Sequence, residues 1–239
     1  MLNALIFDVD GTLADTERDG HRVAFNAAFR EAGLSWNWDV PTYGELLAVS
    51  GGKERMANYA RQVAPELAAR RDFDAFLRKL HALKTGHYVR LVASGAVELR
   101  PGIANLIREA RKAGLKLAIA TTTSPENVSA LLRASLAHDA EKWFDVIGAG
   151  DIVPAKKPAP DIYLWVLERL GVPAAECMAV EDTANGVRAA RGAGIPTLVT
   201  QNDYTRGQDF SGAVAVLSDL AATILAEVEV LHRTYSPHH

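Results

Sequence analysis

The residues with the clearest chemical meaning are carboxylates that follow short apolar runs. Asp8 and Asp10 stand two apart in Phe7-Asp8-Val9-Asp10-Gly11-Thr12. On extended backbone they share a face, and Gly11 lets the chain turn so that both reach one cavity. Glu181 and Asp182 close a second apolar run, Met178 to Glu181. Carboxylates gathered in one place repel one another unless a hard cation sits among them, and oxygen ligands beside an incoming phosphate suit Mg²⁺. Asp8, Asp10, Glu181 and Asp182 are therefore the candidate metal ligands. Lys157, in Lys156-Lys157-Pro158, would neutralise charge on a transferring group. Thr121 and N–H groups near a helix start would donate hydrogen bonds to its oxygens. The chemistry these parts could perform is phosphoryl transfer.

Singly these strings mean little, since Asp-x-Asp-Gly is common in turns and a lysine is usually solvated. Their order carries the argument. Apolar runs at Ala4 to Val9, Leu115 to Thr121, Val146 to Ala149, Met178 to Glu181, Thr197 to Thr200 and Ala213 to Val216 predict buried strands. The polar residues cluster where the first four runs end, which is where ligands sit in open α/β sheets. Between the later runs lie amphipathic segments, one opened by Ser124-Pro125 and one by Pro160 and ended by Gly171. This alternation predicts an α/β fold with a Rossmann-like parallel sheet covered on both faces. The long interval between the first and second runs reads as helix, so an α-helical cap over residues 15–95 is expected within a core made of 1–14 and 96–239. Its first helix is expected over Thr16 to Ala32, and the crossings near Leu13 to Asp15 and Ala93 to Leu99 would be hinges.

Bulk properties narrow the function classes. The 239 residues suffice for a core with an inserted unit, and a net charge of -3 offers no global attraction to nucleic acid or anionic membranes. No apolar run approaches the roughly 20 residues of a membrane-spanning helix. The first residues run straight into a strand, so a cytoplasmic protein is expected. The single cysteine, Cys177, sits in an apolar run and is read as a buried core residue. The terminal Ser236-Pro237-His238-His239 is read as a frayed end rather than a metal site.

The strings Asp8-Val9-Asp10-Gly11-Thr12, Thr121, Lys157-Pro158 and Glu181-Asp182 resemble, over nearly the whole chain, the four motifs of the haloacid dehalogenase superfamily. The resemblance implies Asp8 as nucleophile, Asp10 as general acid and base, Thr121 and Lys157 as further catalytic residues, and the helical insert as a lid. Lys157-Pro158-Ala159-Pro160-Asp161 and Glu181 to Gly186 resemble the branch containing β-phosphoglucomutase and phosphoglycolate phosphatase. Gly51-Gly52-Lys53-Glu54-Arg55 and Ile119 to Asn127 resemble CbbY-type phosphatases. That likeness implies a Mg²⁺-dependent hydrolysis of a small phosphorylated metabolite, xylulose 1,5-bisphosphate, associated with the Calvin cycle, and a monomer is expected.

Substrate choice would then fall to lid residues together with Thr121 and Thr122, because the core machinery recognises only a phosphoryl group. Glu17 and His21, four apart on a helix, would share a face and bind sugar hydroxyls. Lys53 and Arg55 follow two glycines that permit close approach, and Lys84 corresponds by resemblance to a residue that contacts the distal phosphate in the mutase. Trp36 and Trp38 are read as lid packing. The mutase branch has its lid histidine where this sequence has Gly20, with His21 displaced by one. On an α-helix that is about a quarter turn, which counts against the alternative reading as a phosphosugar mutase.

Overall fold

The computed structural model describes residues 1–235; the terminal histidines lie outside them. Six strands form one parallel sheet: β1 (Ala4–Phe7), β2 (Lys116–Ala120), β3 (Val146–Gly148), β4 (Cys177–Glu181), β5 (Thr197–Thr200) and β6 (Ala215–Leu217). Their order is β3-β2-β1-β4-β5-β6. The chain therefore moves outward one way from β1 through β2 to β3, then returns to β4 on the other side of β1. The crevice at such a switch point opens at the carboxyl ends of β1 and β4, where Asp8 and Glu181 stand.

The period of two along the strands sorts their side chains between the two faces. Leu5, Phe7, Leu117, Ile119, Met178 and Val180 form one apolar layer. It packs on α6 (Ile103–Lys112), α7 (Pro125–Ser135) and α10 (Leu225–Thr234). Ala4, Ile6, Ala118, Ala120 and Ala179 face the other way, against α8 (Asp161–Leu170) and α9 (Ala184–Gly192). These smaller residues leave room for the large Tyr163 of α8, which is fully buried. The expected parallel α/β sheet covered on both faces is the observed one.

Between β1 and β2 lie α1 (Arg22–Glu31), α2 (Val40–Leu46), α3 (Gly52–Val63), the short α4 (Pro65–Ala68) and α5 (Phe73–Ala93). They enclose an apolar cluster of their own, built on Phe25, Phe29, Trp36, Trp38 and Tyr43. Trp38 is locked by the Asn26 side chain, which both donates to its carbonyl and accepts from its N–H at 2.8 Å. Both tryptophans thus serve packing. The two crossings run side by side: Arg100 N–H donates to Leu13 O at 2.8 Å, and the Arg100 guanidinium holds Asp15 and the carbonyls of Gln201 and Ser218.

Two expectations need correction. β1 stops at Phe7, before its apolar run ends, because Gly11 at φ +81° turns the chain back beneath Asp182. The first cap helix is not regular from Thr16: Glu17–His21 form a turn of π-helix before α1 begins. Among the described residues no helix is long and apolar enough to cross a membrane.

Candidate active site

Three adjacent strands set the floor of a cavity of about 290 Å³. The ladders place Phe7 beside Ile119 on one side and Val180 on the other, so the residues that follow each strand emerge together. Asp8 is nearly buried, and its Oδ1 accepts from Lys157 Nζ at 2.6 Å. The same ammonium donates to Glu181 Oε1 at 2.5 Å and to Ala120 O at 2.9 Å. Tyr163 OH donates to Glu181 Oε1 at 2.6 Å, and the Lys157 nitrogen lies 5.2 Å from the centre of the Tyr163 ring. Lys157 is thereby fixed from four directions. Burial alone would lower its pKa, but Asp8 and Glu181 outweigh that and hold the proton on. Thr121 and Thr122 line the same cavity, with Thr121 Oγ1 accepting from Thr123 N–H at 3.3 Å.

The acidic cluster has too little positive charge around it. Asp8, Glu181 and Asp182 each offer an oxygen within 4.8 Å of the others, and all three are buried. Asp8 is raised to about 7 by burial, with Lys157 opposing and Glu181 and Asp10 adding to the rise. Asp182 lies well above the carboxylate range through burial, then Asp8 and Glu181. A hard divalent cation fits this donor set and would return both groups to their ionised forms. Not all four expected ligands stand alike. Glu181 Oε1 is taken by Lys157 and Tyr163, while its Oε2 accepts from Asp182 N–H at 3.2 Å. Asp182 is steadied by Asn202 Nδ2 at 2.8 Å. The side chain of Asp10 does not join the cluster, because it is drawn toward the cap.

Asp10 Oδ1 accepts from Thr16 Oγ1 at 2.6 Å and lies 2.6 Å from His21 Nε2. Lys84 Nζ lies 2.6 Å from His21 Nδ1. An ammonium can only donate, so Nδ1 accepts and Nε2 carries the proton given to Asp10. Burial would raise Asp10, but His21 and Thr16 bring it down to about 2. The expectation that one extra residue turns His21 away is overturned here. A π-turn takes up one residue more than an α-turn, and the turn at Glu17–His21 brings the histidine against Asp10, on a small cavity beside the main one. Its ring stacks on Tyr88 at 4.2 Å. Glu17 and His21 line one small cavity together, with His21 also bonded to Asp10 and Lys84.

A profile of haloacid dehalogenase-like hydrolases matches residues 2–194. The chain belongs to this family. Protein CbbY from Cupriavidus necator is 54% identical to it, over 92% of this chain and 86% of that protein. The crystal structure of CbbY from Rhodobacter sphaeroides with phosphate superposes with a TM-score of 0.87 at 46% identity, covering 96% of this chain and all of that one. A mutant of that protein crystallised with xylulose 1,5-bisphosphate gives 0.86 at 46% identity, over 95% and 98% of the two chains. The expected haloacid dehalogenase phosphatase of CbbY type is what these likenesses support.

Against this family frame the cap cations expected near a distal phosphate scatter. Lys84 is buried over the rings of Phe25 and Tyr88 and beside His21, in the hydrogen-bond chain of Asp10. Lys53 pairs with Asp151, in the loop after β3, which also holds Lys156. Arg55 does line the cavity, but its guanidinium donates to Tyr43 OH at 2.8 Å and to the Leu46 and Val49 carbonyls. Tyr43 OH in turn donates to Glu17, so Glu17 and Arg55 neutralise each other through the phenol. The sequence reading missed Asn202, Tyr163 and Thr16. Asn202 could have been found, because it follows β5 at a fifth strand end. Tyr163 carries no local signal, being one apolar-face residue among several on α8.

Proposed function

We propose that this haloacid dehalogenase phosphatase is a Mg²⁺-dependent hydrolase of a sugar bisphosphate, xylulose 1,5-bisphosphate foremost, working through a phospho-aspartate on Asp8. The observation that carries the reading is Asp8 on the cavity floor, with Lys157 locked against it and Asp182 beside it. The complex of the related R. sphaeroides protein with xylulose 1,5-bisphosphate supports the substrate. Residues 15–95 act as the cap and the crossings beside Arg100 as its hinges.

Asp8 attacks phosphorus, forming an acyl phosphate as the bond to the sugar oxygen breaks, and Asp10 gives its proton to that departing oxygen. Water then attacks the same phosphorus while Asp10 takes its proton, and inorganic phosphate leaves with Asp8 restored. Lys157 holds the developing charge on the phosphoryl oxygens, and Thr121 orients them. Asp8 and Asp182 would hold the Mg²⁺, which supplies further neutralisation of those oxygens when bound. The contact with His21 keeps Asp10 ionised, as the hydrolytic half requires. The acid role requires that contact to loosen.

Phosphate release from a panel of sugar mono- and bisphosphates tests the reading. The bisphosphate should give the highest kcat/KM, activity should vanish with EDTA and return with Mg²⁺, and phosphate should appear in step with substrate loss. Full activity without a divalent ion would remove the metal. The π-turn brings His21 against Asp10, so its position no longer counts against a mutase. Faster appearance of an isomeric monophosphate than of free phosphate would make the mutase the better reading.

A further inference from the structure

Glu181 and Asp182 are adjacent in the chain, both buried and both within reach of Asp8, yet their surroundings differ. Among the described residues Asp182 accepts from neutral side-chain donors, Asn202 Nδ2 at 2.8 Å and Thr12 Oγ1 at 3.4 Å. Glu181 is close to saturated. Lys157 Nζ and Tyr163 OH share its Oε1 at 2.5 and 2.6 Å, and Asp182 N–H reaches its Oε2 at 3.2 Å. That takes up most of the roughly four lone-pair positions of a carboxylate. Two residues outside the acidic cluster form the niche that holds it there. Tyr163 is fully buried in the apolar layer between the sheet and α8, where phenylalanine would meet the packing, and its hydroxyl donates to Glu181. Burying a hydroxyl costs free energy unless it is bonded, so Glu181 is what makes the oxygen tolerable. Gly186, on α9, completes the niche, because a Cβ there would fall on the Glu181 carboxylate.

We propose that Tyr163 is a positioning residue that divides the labour between the two acids, holding Glu181 on Lys157 and out of direct metal coordination. This rests on the Mg²⁺-dependent reading above and goes beyond it in assigning what limits the ligand set. Without the hydroxyl, Glu181 Oε1 keeps Lys157 as its side-chain donor. Its carboxylate, already within 4.8 Å of ligand atoms on Asp8 and Asp182, then becomes a further ligand for the cation. Two consequences of opposite sign follow. Lys157 loses its fixed anion and grips the transferring phosphoryl group less well, whereas the metal site gains an oxygen and binds more tightly. Mg²⁺ keeps several of its waters and takes one or two carboxylates, while Ca²⁺ accepts roughly six to eight oxygens in flexible geometry. An added carboxylate therefore favours Ca²⁺ over Mg²⁺. Tyr163 in this way biases the choice of metal while touching neither metal nor substrate.

The test is Tyr163→Phe, which keeps the ring 5.2 Å from Lys157 Nζ and removes one oxygen. Gly186→Ala evicts Glu181 from the same niche independently, and reads the same equilibrium should the first variant fail to fold. Calorimetric titration of Ca²⁺ and of Mg²⁺ into each protein, with no substrate present, should show Ca²⁺ affinity raised about three- to tenfold in both variants and Mg²⁺ affinity raised less. On xylulose 1,5-bisphosphate kcat should fall about tenfold with KM nearly unchanged, and Ca²⁺ should inhibit at lower concentration than in the parent. General loosening of the site would weaken both metals, which is the opposite sign. Unchanged or weaker Ca²⁺ binding in variants that melt like the parent would overturn the assignment. A parent that binds no divalent ion and turns over in EDTA would instead overturn the function on which it rests.

Discussion

On the floor of the cavity, Asp8, Thr121 and Glu181 are carried by three adjacent strands whose register leaves each little freedom. On the cap side, Glu17, His21, Lys53, Arg55 and Lys84 ride on three separate helical segments, with Glu17 and Arg55 meeting on Tyr43, His21 and Lys84 meeting each other, and Lys53 held by Asp151. The floor is a ladder, where backbone hydrogen bonds alone bring the side chains together. The roof is a set of packed helices, where a single π-turn decides which residue faces inward. A strand end therefore announces its function in sequence, whereas a cap position acquires one only through packing.

The largest effect expected on the floor comes from Asp8→Asn, which removes the proposed nucleophile and barely changes volume. Phosphate release should fall to background while circular dichroism and melting temperature stay near the parent's. Appreciable turnover by pure variant would break the distinction at its strongest point.

Asp10→Asn comes next, because Asp10 belongs to both regions: its backbone leaves the floor, while its side chain is held by Thr16 and His21. Loss of acid and base catalysis should lower kcat by about 10² to 10⁴ with substrate still bound. If the variant kept most of its rate, another group would have to move the proton.

These two residues show how far the sequence could be read. The six apolar runs, the order of the polar residues at their ends and the helical insert were all legible, because strand burial and helix amphipathicity repeat at short range. The site at the switch between β1 and β4 followed from them. The cap was legible as helices but not as contacts. A quarter turn on an ideal helix turned His21 away, and the π-turn returned it. Lys84 read as a phosphate ligand by resemblance to the mutase, yet its surroundings of Phe25, Tyr88 and His21 make it part of the Asp10 chain. Tertiary packing decides such residues, and it leaves no local signature.

Lys84 sharpens the comparison through pH. Burial, reinforced by Arg55 and opposed by Asp10 and Glu17, lowers its pKa from 10.5 to about 8. Above that value the ammonium no longer donates to His21 Nδ1, so the tautomer that gives a proton to Asp10 is no longer fixed. kcat should fall as pH rises through about 8. Lys84→Met should be slower throughout and lack this limb. Stability should move the opposite way, since between pH 8 and 10.5 the unfolded chain holds the Lys84 proton and the folded one has released it. The gain is on the order of 3 kcal/mol across that window, and denaturant melts should show it in the parent but not in Lys84→Met.

The smallest effect concerns the seam where the two regions meet. Asp151 stands in the core loop after β3, half exposed, between Lys53 of the cap and Lys156, the neighbour of Lys157. Burial would raise its pKa, but hydrogen bonds from Lys53 and Lys156 hold it at about 2, so it is charged wherever the enzyme works. An ion pair this open to solvent contributes little, about 1 kcal/mol or less. Its place matters more than its strength, because it joins the cap to the loop bearing Lys157. Asp151→Asn should leave the melting temperature nearly unchanged and raise KM about two- to fivefold, the cap closing less often over bound substrate. Salt separates this from a direct contact with substrate. Raising ionic strength should weaken the parent's seam as well, so the difference in KM between parent and variant should shrink toward nothing at high salt. A difference that persists there would mean that Asp151 touches the substrate, and the line between floor and roof would have to be drawn elsewhere.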